Sequence, residues 1–235
     1  MLGTRGPESG LPRGPQLSAE HTRQLAFHTS ANPMTAESNL PEELLVVILN
    51  CALTTPDSEF CRFPTPEQTC LPKLHSEILL VSKRWHRIGA PLLYARLRLA
   101  TPEHVNAASV ALKRHLDLGR AVRTLRLEGG YGEGLCEIAK LLPNAERLYV
   151  SLDVSGNIYG LGSALQSLNP KIVYVYSTRD GCEESRLQRE AKRLVDVAIM
   201  TQWASLVRLS ARFCAYGMLT LAEICRFQPS LQHHL

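Results

Sequence analysis

Four short stretches, "AVRTLRLEG", "NAERLYVSL", "NPKIVYVYS" and "WASLVRLSA", recur along the second half of this 235-residue chain and limit what it can become. Each sets apolar residues at alternate positions, the pattern of a half-buried strand. Aligned on Leu125, Leu148, Val173 and Leu209, they stand 23, 25 and 36 residues apart. Helical patterns fill the intervals, over about Glu133–Leu142, Leu161–Leu168 and Glu184–Thr201, and another follows over about Met218–Phe227. A terminal "QPSLQHHL" reads as the approach to a fifth strand. Strand and helix alternating at such a period predict an α/β solenoid whose longest unit carries an insertion.

Parity assigns the faces of these strands. With Leu125, Leu148, Val173 and Leu209 inward, Arg126, Glu128, Tyr149, Ser151, Tyr174, Tyr176, Arg208 and Ser210 point outward. Exposed tyrosine and arginine dominate interface hot spots. Arg126, Tyr149, Tyr174, Tyr176 and Arg208 are therefore expected to form an exposed target-binding surface. A one-residue slip of register would invert the assignment.

Between the first strand and its helix lies "EGGYGEG". A strand, a glycine cluster and a helix can cradle a phosphate on the helix N-terminus, and Asp153 at the end of the next strand could take a ribose. Gly129, Gly130, Gly132 and Gly134 nevertheless never form G-x-G-x-x-G. The strand before them alternates polar and apolar, whereas a cofactor-binding first strand is buried on both faces. A glycine-rich turn is the expectation; a small cofactor-binding α/β enzyme using Gly129–Gly134 is the alternative. No cofactor is assigned. Nor does any H-E-x-x-H, G-x-S-x-G or P-loop string suggest an enzyme.

The first half reads differently. Residues 1–36, rich in Gly, Pro, Ser and Thr, lack periodicity and read as a disordered tail, with Met34 as an alternative start. "SNLPEELLVVILNCAL" opens a helix with Pro41, Glu42 and Glu43 in its first turn. A proline-bearing loop occupies 54–72. A second helix carries one apolar stripe, Leu74, Ile78, Val81, Trp85 and Ile88, and is expected to break at Pro91 before a docking segment "LLYARLRL". A third spans about 101–119, with Thr101 as its N-cap.

Composition narrows the functional classes. A net charge of +4 does not suggest nucleic-acid binding. No apolar run approaches the ~18 residues of a membrane span. Seven scattered cysteines, an odd number without a C-x-x-C pair, point to a reducing, intracellular setting, cytoplasmic or nuclear. Cys61, Cys70 and His75 lack the paired spacing of a structural zinc site, so no metal is assigned.

With "LPEELLVVIL" followed by "LLVSKRWHRIGAPLLY", residues 37–99 resemble an F-box of the fungal kind that ends in P-L-L-Y, lengthened by the 54–72 loop. Residues 100–235, a helix and then strand–helix units, are similar to the leucine-rich-type repeats that follow many F-boxes. The resemblance implies a substrate receptor of a Skp–cullin–F-box ubiquitin ligase, docking a Skp-family adaptor and through it a cullin, with the repeats holding a protein target. The residues matching the family's adaptor-binding positions are Leu40, Pro41, Leu44, Ile48, Val81 and Trp85. A repeat scaffold whose F-box is degenerate remains a further alternative.

Overall fold

The computed structural model describes residues 40–62, 76–129, 131–154, 156–177 and 185–212. The 1–36 tail, Cys70, His75, the helix expected at 218–227 and the terminal strand lie outside them. The chain divides after Leu40, and the architecture below belongs to the second unit, Pro41–Leu235.

Helix α1 (Glu42–Leu53) begins directly after Pro41, whose carbonyl accepts from Leu45 N at 3.1 Å. Inside the expected loop stands a four-residue helix, α2 (Asp57–Phe60). The second long helix is divided. Ser76–Leu80 forms a 3-10 turn, Ser82 is extended, and α3 runs over Lys83–Tyr94. The Ser82 hydroxyl accepts from Trp85 N at 3.3 Å, the N-cap bond that favours this break. Pro91 does not end α3. The carbonyl its missing N–H leaves unserved is that of Arg87, an exposed residue. "RLRL" is strand β1 (Arg96–Leu99), so the docking segment is the first strand of the sheet.

The expected third helix breaks at His115 into α4 (Pro102–Arg114) and α5 (Leu116–Ala121), with Thr101 Oγ1 accepting from His104 N at 3.3 Å. Then come β2 (Thr124–Leu127), α6 (Glu133–Lys140), β3 (Arg147–Ser151), α7 (Leu161–Ser167), β4 (Ile172–Tyr176), α8 (Arg186–Thr201) and β5 (Arg208–Arg212).

All pairings are parallel and the strand order is β1-β2-β3-β4-β5, the order of the chain. The register aligns Leu97, Leu125, Leu148, Val173 and Leu209 in one row, and Leu99, Leu127, Val150 and Val175 in the next. Together they form one core with Val105 and Leu112 of α4, Leu135 and Ile138 of α6, Leu165 of α7, and Val195 and Ile199 of α8. Burying such side chains stabilises by roughly 1.5–3 kcal/mol each. The helices of the units thus lie on one face of a mixed α/β layer.

Backbone bonds repeat with the units. Ala95, Arg123, Glu146 and Lys171 carbonyls each accept two successive amides of the next unit, at 2.8–3.1 Å. Loops of neighbouring units also touch. Gly160 has φ of +89°, and a Cβ there would lie 2.3 Å from the Gly132 carbonyl oxygen.

Candidate functional site

Helix α1 carries two apolar stripes. Leu45, Leu49 and Leu53 recur every four residues and are buried. They can approach α3 because Gly89 has no side chain: a Cβ there would lie 3.0 Å from Leu53 Cδ1, 3.3 Å from Leu49 Cδ1 and 2.3 Å from Leu79 Cδ2. Glu42 ties the start of α1 to α3 through Arg87 and, at 3.7 Å, Arg84. The second stripe faces outward. Leu44 is 53% exposed, Ile48 45% and, beyond the 3-10 turn, Val81 59%. Pro41 and Val47 are exposed beside the stripe, while Leu40 and Trp85 are half-buried. The indole nitrogen of Trp85 is buried with no hydrogen-bond partner among the described residues. A helix apolar on both sides normally has cover on both.

The five residues expected to bind a target do share the outer face of the sheet. Arg126, Tyr149 and Tyr174 stand in one register row; Arg208 and Tyr176 occupy neighbouring outward positions. Their expected exposure is corrected, however. Arg126 is 3% exposed, Tyr149 and Tyr176 are buried, and Tyr174 and Arg208 are half-buried. The cover over Arg126 and Tyr149 is the segment Asp57–Arg62, which crosses the outer face as a strap.

The strap is fixed by charge at one end. Asp57 Oδ1 accepts from Arg96 Nε at 2.8 Å, and its Oδ2 lies 2.9 Å from Arg147 Nη1. Further along, Arg126 donates Nη1 to the carbonyls of Phe60 and, at 3.2 Å, Arg62. Arg126 Nε meets Glu128 Oε1 at 2.5 Å, and Arg98 holds the other oxygen of that carboxylate. The guanidinium carbon lies 4.0 Å from the centroid of the Tyr149 ring, within cation–π range. Tyr149 in turn packs on Tyr176, ring centroids 4.7 Å apart. Burial pushes both phenols and the Cys61 thiol up from their ordinary values. Glu128 is thus shared by two arginines in a largely desolvated charge cluster.

Of the glycine cluster, Gly129, Gly132 and Gly134 are among the described residues. Gly129 adopts φ of +105°, and Tyr131 fills the space beyond it, buried, its hydroxyl donating to the Ser151 carbonyl at 2.6 Å. Asp153, the candidate ribose partner, instead accepts from Ser177 Oγ at 2.6 Å and Gln188 Nε2 at 3.2 Å. These contacts tie the end of β3 to β4 and α8.

The described residues hold no cluster of His, Cys, Asp and Glu fit for a metal ion, and no helix among them is long and apolar enough to cross a membrane. The class the fold defines is an α/β chain with a parallel sheet in sequential order. No protein-family model matches the chain, and no curated protein matches it at a significant level.

Proposed function

We propose that this chain is the substrate-receptor subunit of a Skp–cullin–F-box ubiquitin ligase, working in the cytoplasm, the nucleus or both. The α1–α3 region is read as an F-box lengthened by the strap, and the strand–helix units as leucine-rich-type repeats. The observation that carries this reading is the outer stripe of α1. Leu44 and Ile48 are exposed on a helix whose opposite stripe is already buried. Exposed large apolar groups at i and i+4 fit a partner's groove better than they fit water.

In this reading Leu40, Pro41, Leu44, Ile48, Val81 and Trp85 bury against a Skp-family adaptor, and the repeats present a protein target. No residue acts as a catalyst. A pull-down of the full chain with a Skp-family adaptor tests it. Wild type binds, and Leu44→Asp/Ile48→Asp weakens capture by at least about tenfold, the loss expected when roughly 1.4 kcal/mol or more of hot-spot burial disappears. Both residues are exposed, so a melting curve checks that the variant stays folded. An adaptor that ignores wild type, or holds the two proteins alike, overturns the reading.

A further inference from the structure

At the carboxyl end of the sheet, the loop after β3 and the first two turns of α8 bound an open groove of about 950 Å³. Ile158 and Leu187, both half-buried, contribute apolar lining, and Ile158 packs against the core. One wall is basic among the described residues, where Arg186, Arg189 and Arg193 line it together with the acid Glu190. Arg193 grips Glu190 through two bonds of 3.0 and 2.7 Å, so that carboxylate is matched within its own helix. Arg186 and Arg189 are exposed, and their guanidinium groups make no ion pair or hydrogen bond among the described residues, although the charge of Arg186 is felt at Glu190. They stand three apart, hence side by side on the helix.

The facing wall presents Tyr159, 74% exposed. Its backbone is held in place: Asn157 Oδ1 accepts from Tyr159 N at 2.6 Å, and the Ile158 carbonyl accepts from Leu161 N at 3.1 Å. Ser185 and Gln188 cap each other's amides at the start of α8, which leaves recognition to side chains. Neighbouring guanidiniums suit planar anions such as carboxylate or phosphoryl groups, and tyrosine supplies contact area at low entropic cost.

We propose that this groove binds an extended acidic peptide of a partner protein. Its carboxylate or phosphoryl side chains lie on Arg186 and Arg189, and an apolar neighbour lies between Ile158 and Tyr159. A single free anion would leave most of the volume and the apolar lining unused. A nucleic acid would meet Glu190 and, among the described lining residues, a single aromatic ring. The site involves none of the adaptor-binding positions, so it stands or falls independently of adaptor docking.

The test is fluorescence anisotropy of the full chain with two labelled peptides, one alternating glutamate and leucine, the other with phosphoserine replacing one glutamate. Saturable binding is expected, weakened by added salt. Arg186→Glu/Arg189→Glu, with its melting temperature retained, should lose at least about tenfold in affinity, as loss of charge-assisted bonds implies, and Tyr159→Ala should lose less. Tighter binding of the phosphoserine peptide assigns a phosphoryl group; equal binding assigns carboxylates. Absence of saturable binding, equal affinity for a glutamine-for-glutamate peptide, or an unmoved Arg186→Glu/Arg189→Glu variant overturns the proposal. So does an oligothymidylate that binds more tightly than either peptide.

Discussion

Helix α1 and the outer face of the sheet invert each other. The helix shows leucine, isoleucine and valine to solvent, while the sheet hides an arginine and a tyrosine beneath the strap. In α1 the inner stripe supplies the local packing, leaving the outer one without cover among the described residues. On the sheet a four-residue helix and the two residues after it lie over Arg126, and two backbone carbonyls, Glu128 and the Tyr149 ring take the place of its water. Polarity therefore does not decide what is inside. The available cover does.

The largest effect that would break this contrast is expected at Arg126. Arg126→Ala takes a donor from the Phe60 and Arg62 carbonyls and leaves half of Glu128 unmatched, and should cost about 3–5 kcal/mol in urea denaturation. Leu49→Ala, on the inner stripe of α1, should cost about 2–5 kcal/mol in the same measurement. A loss at Arg126 well below 1 kcal/mol would mean the strap is dispensable to the fold.

Asp57→Asn comes next. Its two ion pairs are partly exposed, so the loss should be about 1 kcal/mol or less. Hydrogen exchange of the Cys61 and Phe60 amides should quicken while the β3 amides keep their protection. Leu44→Ser/Ile48→Ser should move stability by only about 0.5 kcal/mol, since surface changes rarely do more. A change as large as that of Leu49→Ala would show that the outer stripe is internal packing after all.

The smallest effect concerns Asp196 of α8, half-buried, with one carboxylate oxygen lacking a partner among the described residues. Burial raises its pKa from the ordinary 3.8. The native state then holds a proton that the unfolded chain has released, so this contribution is present below 3.8 and is lost as pH rises through the native value. Asp196→Asn should flatten that slope in urea titrations across the acid range. At neutral pH it should be more stable than wild type by about 0.5 kcal/mol.

Much of the layered half was legible from alternation alone. Leu125, Leu148, Val173 and Leu209 do face the helices, and α6, α7 and α8 fall within the expected segments. The strap was not legible, because Asp57–Phe60 is too short for periodicity and lies in a proline-bearing loop. Parity correctly placed Arg126 and Tyr149 outward but carries no information about what crosses over them. β1 escaped notice because four residues directly after a helix give no turn signal. The paired acidity and basicity of Asp57 with Arg96 and Arg147 were visible only as scattered charges. Of the positions proposed to bind an adaptor, the exposure of Leu44 beside buried Leu45 follows from a helix with leucine and isoleucine on two sides, a pattern that does not say which side turns in.

The strap also sets a bearing. Asp57 is pinned to Arg96 and Arg147, and the Phe60 carbonyl to Arg126, so the chain leaving α1 is riveted to three consecutive strands before residues 63–75 begin. A pull applied at α1 is transmitted to the sheet through this bracket as well as through α3. The helix and the strands are thereby joined as a single lever, so a load on one is felt along the other.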